Sequence, residues 1–322
     1  MKKFIYFALL LIGVCVTQIT VAQTYPEKPI TLIIPYTAAG ITDSSGRLIA
    51  KKLSERLGQP IVIDNRPGAG GAVGAEYAAK AKPDGYTLFM GTRGTQVTNA
   101  MIQKDVKIPP ASDFASVYAF IDAATVIVVR NDAPYKTLPE LVAYAKANPG
   151  KISYATAGNG TAANLTGELF QVVAGIQMTH IPYRGSAPAI QDLLSGAVPV
   201  AFDYPITTAS YIKSDRLKAL AVVYGERIKS LPDVPTAAEV GIKGAESSSW
   251  MGIFAPVRTQ KSIIDRLSKE MDVVMQDPDV QQKIVDMGAI PLRADSHVLD
   301  KMIEDDQKRW TEVLKKVTIS TN

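Results

Sequence analysis

Apolar residues in this chain gather into short dense runs parted by small and polar residues, and the runs alternate between strand and helix periods. Ile30–Ile34, broken only by Thr31, reads as a buried strand that Pro35 ends, since proline has no N–H for a sheet ladder. Leu48, Ile49, Leu53 and Leu57 then mark one face of a helix, which Thr42 and Asp43 are placed to cap. Between strand and helix, 36–41 carries no charge and almost no bulk. The same order returns downstream: a strand over 152–155, a small-residue loop over 156–161, and a helix with Leu165, Leu169, Val172 and Val173 on one face and Thr161 near its cap.

The remaining runs extend the alternation. Strands are expected at 59–64, 87–90, 177–181, 198–203 and Leu217–Val223, and helices at 72–81, Leu138–Ala147 and around Ile190, Leu193 and Leu194, the last closed by Gly196. Residues 230–240 read as a Pro-bounded loop with a short helix. Helices over 262–275, 279–287 and 297–317 close the chain, with Trp310 as a core anchor. Two apolar crossings, 117–130 around Asp122 and 250–255, carry the chain into a second domain and back. Domain 1 is then 23–123 plus 245–322, and domain 2 is 124–244. Strands alternating with helices give an α/β fold class, and a bilobed protein with a cleft is the economical architecture.

Composition narrows the setting. Residues 1–22 have the form of a secretory signal peptide: Lys2 and Lys3, an apolar stretch over 4–16, and small residues before a cut near Ala22-Gln23. Cleavage removes Cys15, the only cysteine, so no disulfide is available and packing must hold the fold. Without Lys2 and Lys3 the basic residues number 33 against 31 acidic, too balanced for a nucleic-acid partner. His180 and His297 stand far apart with no partner at ligand spacing, so neither a metal nor a cofactor is expected. The glycines at 68, 70 and 71 resemble a dinucleotide fingerprint but fail it, because Val73 stands where the third glycine belongs.

What chemistry is left sits in the loops. A helix start offers free backbone N–H groups and the positive end of a dipole, so the loops at 36–41 and 156–161 are natural anion cradles. Gly158 and Gly160 let the backbone approach a ligand closely. A third small polar loop, Gly91 to Thr95 with Thr92, ends another strand, and ligands in open α/β sheets bind at such carboxyl ends. Arg93 in that loop reads as solvated. Two uncharged cradles imply two lobes with a small acid clamped between them. A secreted hydrolase is the rival class, but no Gly-x-Ser-x-Gly elbow appears and His180, at a strand end, reads as structural.

Several short motifs occur in order: Pro35-Tyr36 with Gly40-Ile41-Thr42-Asp43, Asp64 to Gly71, Pro83 to Thr87, Gly158-Asn159-Gly160-Thr161, Pro182-Tyr183-Arg184-Gly185, Phe202-Asp203, Leu231 to Thr236, and Ser249-Trp250. Together they resemble the periplasmic solute receptors of tripartite tricarboxylate transporters, the Bug or TctC family, over nearly all of the mature chain. The resemblance implies a type II-like periplasmic-binding-protein fold, with hinge strands and an interdomain cleft that closes on a small carboxylate. It implies a monomer that delivers its ligand to membrane permease subunits, a sensor kinase being the alternative partner, and it implies no enzyme activity. The ligand would be a dicarboxylate, an acidic amino acid or an aromatic acid. Carried over residue by residue, it names Tyr36, Ala39, Gly40, Thr42 and Asp43 in the first loop, and Ala157, Gly158, Asn159, Gly160 and Thr161 in the second, with Asp203 in the cleft. Three positions depart from the family pattern. Ala39 stands for a glycine, Asn164 for a histidine, and Tyr204 for an asparagine, the last two placed near the cleft.

Overall fold

The computed structural model describes residues 25–102 and 109–315, so residues 1–22, read above as a signal peptide, lie outside the described residues. The first half opens with β1 (Ile30–Ile34), α1 (Ile41–Leu57), β2 (Ile61–Asn65), α2 (Ala72–Ala79) and β3 (Thr87–Thr92). A π turn, Gly94–Thr98, follows β3 and runs into a single α turn, Asn99–Ile102. β4 (Phe114–Arg130) is the longest strand and is apolar on both faces, as a strand covered on both sides must be. Beyond it lie α3 (Leu138–Ala147), β5 (Ser153–Thr156), α4 (Ala162–Ala174), β6 (Thr179–Pro182), α5 (Ser186–Ser195), β7 (Val200–Asp203), α6 (Pro205–Lys213) and β8 (Leu217–Val223). The chain ends in β9 (Ser248–Pro256), α7 (Lys261–Gln276), α8 (Pro278–Asp286), β10 (Ala289–Asp295) and α9 (Ser296–Leu314).

The strands run in the order β2-β1-β3-β9-β4-β7-β5-β6, with β10 and β8 also on β4. β4 changes partners midway. From Phe114 to Ala124 it pairs with β9, and with β10 on its other edge; from Thr125 onward β8 and β7 take their places. Helices cover both faces of each half. In the first half α1, α7 and α8 pack on one face around Ile49, Leu267 and Val280, while α2 and α9 pack on the other around Ala75, Leu299 and Trp310. In the second half Ile127 and Val129 face α3 and α4, while Val126 and Val128 face α5, the period-two alternation expected of a strand. The fold is the α/β periplasmic-binding-protein architecture, and the parallel strands β1 and β5 aim their carboxyl ends, with their loops, at one place.

Three expectations from sequence need correction, and two elements were missed. Thr42 and Asp43 do not cap α1; Gly40 is the cap, without a side-chain bond, and both residues lie in the first turn. Residues 230–240 form turns and a bridge from Thr236 to Val222, not a helix. β10 and α6 were not anticipated. Pro291 interrupts the apolar run of β10, which is tolerated because that strand pairs only with β4 and is irregular between Pro291 and Ala294. Arg93 is not solvated: it is 1% exposed, its guanidinium lies 4.6 Å above the Trp310 ring, and Nη2 donates to Ser247 Oγ at 3.0 Å. No helix among the described residues is long and apolar enough to cross a membrane.

Candidate ligand-binding site

The loops meet around a small cavity whose walls carry no charged side chain. Its positive character comes from the backbone. Gly40, Ile41 and Thr42 begin α1, Thr161 and Ala162 begin α4, Gly185 and Ser186 begin α5, and Tyr204 is the cap of α6. Four helix N-termini therefore converge on one space, each presenting unpaired N–H groups and about half a unit of positive charge. Such a space receives an anion without a cationic side chain.

The first loop is braced from behind. Asp43 Oδ2 accepts from the Ala39 N–H at 3.0 Å and from Arg47 Nε at 2.9 Å, and Oδ1 accepts from Asn65 Nδ2 at 2.9 Å. Burial pushes the Asp43 carboxyl up, but these bonds outweigh it and hold it below its usual range. Asp43 is thus a strut, and neither it nor Ala39, whose φ is 67°, lines the cavity. Thr42 and Thr92, both buried, do line it, as does the half-buried Tyr36. Tyr36 Oη donates to the Gly70 carbonyl at 3.3 Å and lies 3.4 Å from Thr92 Oγ1; burial raises its phenol to about 12.

The second loop is held by its own network. Thr161 caps α4, accepting from the Asn164 N–H, and its hydroxyl donates to the Gly158 carbonyl at 2.8 Å. That proton is therefore committed within the loop in this conformation. Asn164 Oδ1 accepts from the Gly160 N–H at 3.0 Å and Nδ2 donates to His180 Nδ1 at 3.3 Å, which leaves the other ring nitrogen to donate to Thr156 Oγ1 at 2.7 Å. Thr156 Oγ1 in turn accepts from the Gly158 N–H. Asn164 therefore stands behind the loop, not in the cavity wall. Burial lowers the His180 pKa to about 4, so the ring is neutral near pH 7.

A pH prediction follows from His180. The unfolded chain takes this proton near pH 6.5 and the native chain only near 4, so the contribution is present above 6.5 and lost as pH falls through 4. Asp203 has the opposite sign: burial raises its carboxyl to about 6, so its contribution is present below 3.8 and lost as pH rises through 6. The stability difference between wild type and His180→Phe isolates the first term. Urea titrations should show that difference shrinking from pH 6.5 to 4; a flat difference would refute the assignment.

Asp203 sits just outside the cavity. It is 1% exposed; Oδ1 accepts from Ser186 Oγ at 2.7 Å and from the Tyr204 N–H at 2.8 Å, and Oδ2 has no hydrogen-bond partner. It orients the starts of α5 and α6, and Tyr204 itself lines the cavity. Ala157 lines both this cavity and an outer one, which also takes Gly158 and Asn159. Gly160 turns its carbonyl toward Gly94, whose added Cβ would lie 3.2 Å away. Sequence reasoning missed Thr37, Ser186, Ser249 and Met251 as wall residues. Ser186 and Ser249 adjoin or belong to quoted motifs, which was the available signal.

The family described as "Tripartite tricarboxylate transporter family receptor" matches residues 46–319. Protein BugT of Bordetella pertussis is 34% identical over 295 residues, covering 91% of this chain and 90% of the relative. Among solved structures, Rpa4515 of R. palustris with adipate superposes with a TM-score of 0.87 at 32% identity, covering 91% of this chain and 98% of that one. MatC of Rhodopseudomonas palustris with bound malate gives 0.84 at 30% identity, covering 90% and 100%. The chain belongs to the tripartite tricarboxylate transporter receptor family, a family of solute-binding proteins rather than enzymes.

Proposed function

We propose that this receptor captures a small organic carboxylate in the periplasm and hands it, unaltered, to the membrane permease subunits of a tripartite tricarboxylate transporter. The observation that carries the reading is the convergence of four helix N-termini on a cavity with no charged side chain. Adipate and malate in the two related structures are carboxylates of the expected kind. The chain acts as a monomer after losing residues 1–22. Its domains, 23–123 with 245–322 and 124–244, close about the crossings at β4 and β9. Thr42, Tyr36, Thr92 and Tyr204 contribute the wall, while Asp43, Asn164 and Asp203 position it.

Closure follows from differential affinity, because a ligand that touches both loops favours the state in which they face each other. At a hundred times its dissociation constant, the acid should stabilise the protein by about 2.7 kcal/mol. Thermal melts across a carboxylate panel, with mass spectrometry of the acid released afterwards, test this. The expected result is a raised melting temperature for at least one acid and its recovery unchanged. A panel that shifts nothing, or steady formation of a product, would overturn the proposal.

A further inference from the structure

Among the described residues Arg93 is the only arginine or lysine that is buried. Its charge is held by little: Nη2 donates to Ser247 Oγ at 3.0 Å, the guanidinium lies over the Trp310 ring, and Nε has no hydrogen-bond partner. The carboxylates that act on it are bonded elsewhere, Asp306 to Trp250 Nε1 at 2.6 Å and Asp122 to Tyr224 Oη at 3.2 Å, and neither forms an ion pair with it. A cation taken out of water without a paired anion is costly, and burial accordingly lowers the Arg93 pKa. Packing against Trp310 would be served as well by an apolar side chain.

The position of the charge gives it a use. Thr92, the preceding residue, lines the anion cavity, and Ser247 stands two residues before Ser249, another wall residue. On the other side of Arg93, a Cβ added at Gly94 would lie 3.3 Å from Thr92 Oγ1 and 3.5 Å from Tyr36 Oη, so this turn rests against the wall. The field reaches the cavity's side chains: burial, Tyr36 and Asp203 raise the Tyr204 phenol, and Arg93 opposes them.

We infer that Arg93 is the counter-charge of the bound carboxylate, a positioning residue that attracts the anion through the cavity wall without touching it. The inference rests on the carboxylate reading above and adds a side-chain cation to the helix N-termini that hold the ligand. Charges in a water-excluded interior are weakly screened by salt, so the attraction persists across a layer of wall residues. A tenfold gain in affinity, 1.4 kcal/mol, needs only the attraction of unit charges about 12 Å apart at an effective dielectric constant of about 20.

Calorimetry with succinate, malate, adipate and benzoate tests this on the wild type and on Arg93→Met, Arg93→Gln and Arg93→Lys. Gln keeps a donor for Ser247 without the charge, and Lys keeps the charge. Every acid that the wild type binds should weaken about tenfold in Met and Gln and stay within about threefold in Lys. Arg93→Met gives up the bond to Ser247 together with the cost of burying a cation, so its ligand-free melt should change little while its affinity falls. Should Arg93→Met fail to fold, Gln against Lys carries the same comparison. Wild-type affinity in either neutral variant, or a loss in Lys as large as in Gln, would overturn the counter-charge and leave the carboxylate reading standing. Binding of none of the four acids by the wild type would count against both.

Discussion

Trp310→Ala is expected to remove about 3–5 kcal/mol of stability, the usual cost of emptying a buried aromatic site. Trp310 is 1% exposed and packs against the face of the first sheet that α2 and α9 cover. Its second task is electrostatic. Arg93, also 1% exposed, lays its guanidinium 4.6 Å over the indole, and burial lowers its pKa while still leaving a cation to be accommodated. Removing the ring leaves a cavity and a buried charge with one fewer partner. A double-mutant cycle separates the two effects. Arg93→Met alone loses the bond to Ser247, and Trp310→Ala with Arg93→Met should cost less than the sum of the single changes. Chemical denaturation gives all three values. A single-variant loss below about 1 kcal/mol, outside the range for buried aromatics, would refute the anchor; strict additivity would refute the coupling.

Arg93 also shows where the sequence stops being legible. Its partners, Ser247 and Trp310, come from β9's approach and from α9, and nothing in Gly-Thr-Arg-Gly-Thr announces either. Local patterns were readable because they are local: the apolar run of β1, the buried Leu165 and Leu169 of α4, and Thr161 at its cap all depend on neighbours in the chain, whereas Val172, expected on the same face, is exposed. The roles of Asp43 and Asn164 depend on where their side chains turn. Both were visible as polar residues near a helix start, and both turn back to brace a loop instead of facing the cavity. β10 escaped because its strand character rests on pairing with β4, which outweighs the proline inside it. The convergence of four helix starts follows from strand order, and strand order is not written in any one segment.

The contact most sensitive to a single methyl group lies between the halves. Gly185, the cap of α5, has φ of 137°, and a Cβ built there would stand 1.9 Å from Thr37 Oγ1 and 3.1 Å from Thr37 Cβ. Thr37 belongs to the loop between β1 and α1, so the clash exists only while the two loops face each other. Gly185→Ala should therefore act twice. Backbone strain at a positive φ should lower the ligand-free melt by about 1–3 kcal/mol. On the closure proposed above, in which the ligand completes its contacts only when the loops face each other, blocked approach should weaken binding about a hundredfold, roughly 2.7 kcal/mol. Thr37→Ala in the same chain removes the atom at 1.9 Å and leaves a Cβ at 3.1 Å, a distance that a shift of a few tenths of an ångström relieves. The double variant should regain about tenfold of the lost affinity, worth 1.4 kcal/mol, without regaining the melt, since the strained φ remains. Calorimetry and melts on wild type and the three variants read the two quantities apart. If affinity and melting temperature fall and recover together, strain at α5 explains everything and the steric stop on closure is wrong.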